Sequence, residues 1–527
     1  MTALYFDGQS LRDPIPGKCP SKHIPVISRI MEHKQYIQVC LPLRLDWNPW
    51  YTTTEEVHVG QRVAVRFARK PYVGVVVNVG GQPDVKTVLP IDSAETGLAD
   101  ITPEELKLWE FVSSYYMCTP GEVYKAAYPA EKLRLEKVSA RMAAKKKALP
   151  ADEPKAFQDM LDFGEKPVLL RGTDRVPFYL DEIRRTLDAG HNVLILEPET
   201  DFGFSLRDAL ARALKGRLMF YGATSGQKEK REVLQAVRES LKPVAVIGVR
   251  STVFLPWNNL GLVIVDEEQD VSFKQNEPAP LYNGRDVAVM LARLHGSRLI
   301  LGSACPSLES LSNCINGKYE LVPVSETLPV VEIIDIPAEK HKRGMVGNYS
   351  RRALEEINAL PADALVTVVR CYQTEEDAVA ELREVLPDRD PQLLTAVAAR
   401  KSASHSALTL VLQADSLFDR SDFRADEKAL QMLCSIRAHT DKLLVQCGAS
   451  SHPVYKALVS GGLAGLEELL AERKSFKLPP YTRLVDMRDK GSVVRREVLP
   501  RDSSLASRKA ELKLKYGALY TFDVDPL

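Results

Sequence analysis

The sequence predicts a multidomain α/β protein in which a β-rich N-terminal domain precedes a domain built on a buried parallel sheet. Three observations carry this. Ile37, Val39 and Leu41, then Val63, Val65 and Phe67, alternate with polar neighbours, as half-exposed strands require. Leu262-Val263-Ile264-Val265 is a run of β-favouring residues ending in Asp266-Glu267-Glu268-Gln269, the form of a strand buried on both faces. The 527 residues, 45% hydrophobic and 27% charged, suffice for about three or four ordinary globular domains.

Composition narrows the function classes. The chain carries 70 basic and 70 acidic residues, a formal net charge of zero, so any attraction to nucleic acid comes from local basic faces. No run approaches the eighteen or so apolar residues of a membrane span, and the first residues lack a basic stretch followed by an apolar core. The eight cysteines are scattered without a CxxC pair, which indicates neither a zinc site nor a disulfide framework. A reducing cytoplasm is the expected location, with no membrane partner.

Taken in order, residues 1–36 mix Pro, Gly, Ser and Lys without periodicity and read as an extended lead-in. Residues 37–130 form the β-rich domain and a helical segment. Arg66-Phe67-Ala68-Arg69-Lys70-Pro71 is a basic turn between two strands, so Arg66, Arg69 and Lys70 at a hairpin tip could contact phosphates while Trp50 or Tyr72 stacks on a base. A solvated turn explains the same residues equally well. Thr102-Pro103-Glu104-Glu105 starts a helix, with Pro in the first turn and carboxylates at the positive dipole end. Residues 131–165 are a basic stretch, read as a linker helix.

The parallel sheet places the chemistry. Ligands of such sheets lie beyond the carboxyl ends of the strands, where Asp266 and Glu267 fall. An Asp there suits a Mg²⁺ bridging nucleotide phosphates, and the next Glu suits orientation of an attacking water.

Asp266-Glu267-Glu268-Gln269 and Gly302-Ser303-Ala304-Cys305-Pro306 resemble motifs II and III of superfamily-two helicases. With Ile247-Gly248-Val249-Arg250-Ser251, Phe273-Lys274-Gln275 and Tyr282-Asn283-Gly284-Arg285-Asp286, the chain resembles the PriA replication-restart family from about residue 36 to the end. The resemblance implies an N-terminal domain that binds the 3′ end of a nascent strand. It also implies two RecA-like parallel-sheet lobes, at 166–325 and 326–450 with the second reduced, and a C-terminal α/β domain at 451–527. Arg250 and Lys274 fall in its motifs as DNA-contact candidates. Partners implied are branched or forked DNA, single-stranded DNA, primosome proteins, a helicase loader, the replicative helicase and a single-stranded-DNA-binding protein.

The departures from the family concern ATP. Where the family has a G-x-T-G-S-G-K-T phosphate loop, this chain has Gly172-Thr173-Asp174-Arg175-Val176-Pro177, without the Lys-Thr pair or the nest of amides. His439 and Lys442 stand where two arginines should stabilise the transferring phosphoryl group. The inter-lobe zinc cysteines are absent. Pro49-Trp50-Tyr51 replaces the Phe-Asp-Tyr that meets the strand terminus. The expectation is a fork-binding restart protein without helicase activity, using neither ATP–Mg nor zinc, in which Asp266 and Glu267 are remnants of the catalytic pair. A residual DNA-dependent ATPase and a non-DNA interaction protein on the old fold are the alternatives.

Overall fold

The computed structural model describes residues 34–85, 87–129, 165–199, 205–324, 329–371, 374–400, 402, 404–418, 422–461 and 464–527. The expected lead-in (1–36) and linker helix (131–165) therefore lie outside the described residues, save 34–36 and 165.

The N-terminal domain is a five-stranded sheet in the order Arg62–Phe67, Lys70–Val79, Gln35–Cys40, Trp50–Thr53, Leu89–Pro90. Alternation buries Ile37, Val39, Val63 and Val65 in one small core. Two helices come next, Pro103–Tyr115 and Pro120–Ala127, each opened by a capping box. In the first, Thr102 Oγ1 accepts from the Glu105 amide at 3.2 Å while Thr102 N donates to the Glu105 carboxylate at 2.9 Å. Their apolar faces, with Leu108, Trp109, Val112 and Tyr124, share a core with the first parallel-sheet lobe. These helices thus splice the N-terminal sheet to that lobe.

The first lobe holds a seven-stranded, all-parallel sheet. The strands Arg298–Ser303, Leu260–Asp266 and Asn192–Leu196 lie at its centre. Helices such as Val176–Asp188 and Gly284–His295 cover it, as parallel sheets require. A second, five-stranded parallel sheet runs Val330–Asp335, Lys442–Cys447, Leu408–Val411, Val366–Arg370, Gln392–Thr395. The architecture is the expected one: a β-rich N-terminal domain, two parallel-sheet lobes with the second smaller, and C-terminal α/β structure.

The edges of these units differ from the expected divisions. Helices Pro453–Ser460 and Ala464–Ser475 bury Val454, Tyr455, Leu458 and Leu470 in the core of the second lobe, so that packed unit runs past residue 451. The remaining C-terminal part is a three-stranded antiparallel sheet, Ser492–Pro500, Thr482–Asp489, Thr521–Val524, with the helix Leu505–Tyr516. Its Val485, Met487, Phe522 and Val524 join the core of the first lobe. Among the described residues, no helix is long and apolar enough to cross a membrane.

Candidate nucleic-acid interface and a filled phosphate site

Strand Leu260–Asp266 delivers Asp266 to the carboxyl edge of the first lobe, opposite Gly302 in register. Glu267 comes next in left-handed backbone, φ +50°. Both carboxylates point at Arg175, which stands just ahead of the helix Val176–Asp188. Arg175 Nε donates to Asp266 Oδ1 at 2.9 Å, and its second nitrogen reaches Glu267. The remaining nitrogen donates to the Gly172 carbonyl. One turn on, Tyr179 Oη donates to the same Asp266 oxygen at 2.8 Å. The ring packs so closely over Gly302 that a Cβ there would sit 1.6 Å from the phenol oxygen, so only glycine admits it.

The loop at Gly172–Arg175 therefore has a use. With no amide nest to hold an anion, it folds a guanidinium into the space before the two acids. The site is only marginally open: Arg175 is 6% exposed. Burial pushes the Asp266 carboxyl up, with Arg175 offsetting part of the rise. In Glu267 burial acts the same way, but Arg175, Gln269 and Arg400 outweigh it and hold the group low. Two carboxylates keep the Arg175 guanidinium charged despite its burial. The residues present do not fit a magnesium–nucleotide complex. The oxygens that would face the metal accept from Arg175, Tyr179 and Gln269, and a second cation would meet a site already neutralised. Among the described residues, no group of three or more His, Cys, Asp or Glu converges as a metal cage.

The signature residues have a structural role. Glu268 is 1% exposed. It accepts from Ser307 N at 2.7 Å, Ser307 Oγ at 3.0 Å, Ser310 Oγ at 2.9 Å and Arg285 at 3.0 Å. Ser303 Oγ donates to Gln269 at 2.7 Å. These bonds tie the two motifs into one buried network, which is costly to break whether or not nucleotide is ever bound.

The lobes are joined by the same kind of contact. Arg424 of the second lobe meets Glu309 of the first at 2.9 Å, Arg400 meets Asp270 at 2.9 Å, and Glu427 accepts from the Leu308 amide at 2.9 Å. Cys305, Leu308 and Leu311 enter the core of the second lobe. Of the two arginine replacements, Lys442 is drawn away to Glu332 at 2.7 Å and to Glu356. Burial lowers the imidazole of His439, and the charge of Glu267 opposes that shift.

The DNA-contact candidates scatter. Arg66, Arg69 and Lys70 do lie at one hairpin tip, closed by the pair Phe67–Lys70, with Ala68 and Arg69 in left-handed backbone. Arg66 is tied to Asp92 at 3.2 Å. Arg69 and Lys70 are exposed and make no ion pair among the described residues. Tyr72 is half-buried on the same strand, packed against the N-terminal core. Trp50 lies elsewhere, over Gly81. Arg250 is held by Glu199 and by the Ser272 carbonyl at 3.1 Å.

Lys274 is put to a different use from the one expected. It is 3% exposed, and its ammonium bonds Asp523 at 2.8 Å, the Leu281 carbonyl at 2.9 Å and the Val524 carbonyl at 2.7 Å. It pins the C-terminal strand to the first lobe, and a group so enclosed reaches no phosphate. Trp47 is absent from the sequence-based candidates; its only advance signal is its place in an apolar, proline-flanked loop.

Residues 38–129 match the family model described as the 3′DNA-binding domain of PriA. The replication restart protein PriA of Rickettsia prowazekii is 31% identical over 303 residues, 55% of this chain and 46% of that protein. The replication restart protein PriA of Chlamydia pneumoniae is 30% identical over 368 residues, 67% of this chain and 46% of that protein. In that of Bacillus subtilis the identity is 31% over 237 residues, 41% and 28% of the two chains. The chain spans less than half the length of these relatives. Among solved structures, RecG bound to a three-way DNA junction aligns at 13% identity and a TM-score of 0.36, covering 60% of this chain and 48% of that one.

Proposed function

We propose, for a chain that is a relative of the replication restart protein PriA, that it binds stalled or abandoned replication forks and helps to assemble a primosome there, without driving strand separation by ATP hydrolysis. The observation that carries the reading is Arg175 seated between Asp266 and Glu267. A guanidinium held by two buried carboxylates takes the place that a metal and phosphates need, while the domain matched to 3′DNA binding keeps an exposed basic tip. The lobes then act as a fixed frame between the N-terminal and C-terminal domains. In this reading the partners are forked and single-stranded DNA, a helicase loader, the replicative helicase and a single-stranded-DNA-binding protein, met in the cytoplasm at the nucleoid.

The test is a titration of the full chain on forked DNA with a leading-strand 3′ end at the junction, against linear duplex competitor, with and without magnesium–ATP. Fork preference unchanged by ATP is the expected result. Affinity that moves with ATP would restore the enzyme reading. Absence of any fork preference would leave the fold without the role.

A further inference from the structure

The N-terminal domain leaves one large aromatic side chain in solvent. Trp47 is 58% exposed. Its ring stands at 6.1 Å and 61° from that of Phe67, an edge-to-face contact that fixes the indole without covering it. Phe67 lies directly opposite Lys70 in the antiparallel register. Cross-strand partners project to the same face of a sheet, so the Lys70 side chain leaves the hairpin on the side where Trp47 sits. Between them Ala68 and Arg69 make the turn at φ +48° and +64°. Two successive non-glycine residues in left-handed backbone are costly, and the cost brings Arg69 to the apex of the hairpin.

This tip is distinct from the place of Trp50. Trp50 pairs with Gln38, which pairs with Asn78 on the long strand. Lys70 and Asn78 are eight residues apart along Lys70–Val79, roughly 25 Å of extended chain. Trp50 therefore lies off the hairpin tip, toward the far end of the long strand.

We propose that Trp47, backed by Phe67 and flanked by Arg69 and Lys70, is a stacking platform for an unpaired base of single-stranded nucleic acid, with the two cations holding the adjoining phosphates. The proposal rests on the DNA-binding function proposed for the chain and assigns the contact within it. Charge selects the occupant: an exposed indole alone would suit an apolar peptide, but two cations with no ion pair among the described residues call for a polyanion at the same tip. Since every base has a π face, the platform tolerates any sequence.

The chain's own fluorescence reports on it. Of the four tryptophans, Trp109 and Trp257 are 3% and 2% exposed, and Trp50 is half-buried over Gly81, so the quench lost in W47A is the share that Trp47 reports. Oligothymidylate is titrated against the full-length wild type, W47A, W47F and R69A/K70A. The wild-type emission is expected to quench on binding. W47A should bind about tenfold or more weakly, as loss of a base-stacking aromatic does, with W47F restoring most of the affinity and all variants melting alike. W47A binding as tightly as wild type while R69A/K70A weakens would overturn the platform and leave the DNA-binding reading standing. If the wild type itself failed to bind at low salt, the DNA-binding reading and the platform would both fall.

Discussion

The phosphate site of the first lobe and the tip of the N-terminal hairpin present charge in opposite ways. At Asp266 and Glu267 two carboxylates meet an arginine from the same chain, in a pocket where Arg175 is 6% exposed. At the tip, Arg69 and Lys70 stand in solvent with no acidic partner among the described residues. A charge already neutralised inside a fold has little left to offer a ligand, because any newcomer must first displace the internal partner from a low-dielectric site. An unpaired charge in water has released none of its binding capacity. The difference separates a site whose charges are met inside the fold from one whose charges are open to a ligand.

The comparison breaks most readily at Arg175. Replacing it by alanine strands two buried carboxylates, and removal of one partner of a buried ion pair costs about 3–5 kcal/mol. R175A is expected to melt far below wild type, and R175A/D266N/E267Q to recover much of the loss. Magnesium should raise the melting temperature of R175A and leave wild type unmoved, since the mutant alone offers free carboxylates. Denaturant and thermal melts with and without Mg²⁺ decide it: wild type gaining as much from magnesium as R175A would mean that the guanidinium does not fill the site.

A second, smaller effect is read from pH. Burial raises the Glu309 carboxyl, but Arg424 and Arg285 outweigh it and hold the group down to about 2. The folded value lies below the usual 4.5, so the stabilisation is complete above about pH 4.5 and drains away as pH falls toward 2. A shift of that size corresponds to about 3 kcal/mol. Burial and the charge of Glu309 push neighbouring Glu427 the other way, and its protonation in acid returns part of the loss. Because Glu309 and Arg424 belong to different lobes, the loss is one of inter-lobe docking. E309Q should show a flatter decline in melting temperature between pH 5 and pH 3 than wild type. Superimposable curves would remove the ion pair from the account.

How much of this was legible depended on what each residue does. The parallel strand at Leu262–Val265 and the helix opened by Thr102 read correctly because period and capping are local, carried by neighbours in sequence. The departure of Gly172–Pro177 from the G-x-T-G-S-G-K-T pattern was equally plain, since glycine and lysine stand there in a fixed order. What replaced it was not. Nothing local distinguishes Arg175 from a surface arginine; its role arises only when Gly302, Tyr179 and Asp266 converge from three elements. Lys274 failed for the same reason, its partner Asp523 being remote in sequence. Motif likeness was a guide to burial here: Glu268 and Ser303, quoted from the two motifs, are both enclosed by the fold.

The smallest expected effect sharpens the comparison within the tip itself. Arg66, Arg69 and Lys70 sit within five residues, yet Arg66 is held to Asp92 at 3.2 Å and the other two are not. The Arg66 pair is exposed, 67% for the arginine, so its worth to stability is about 0–1 kcal/mol and R66A should scarcely change the melt. For DNA the order is set by pairing. Each phosphate contact contributes close to one unit to the dependence of log affinity on log salt, so R69A/K70A should lower that slope by about two. R66A should lower it by less than one, because Asp92 already competes for the guanidinium. D92N, which frees Arg66, is then expected to steepen the slope slightly and tighten binding at low salt. If R66A flattened the slope as much as R69A, internal pairing would not be what decides which cations at this tip meet DNA.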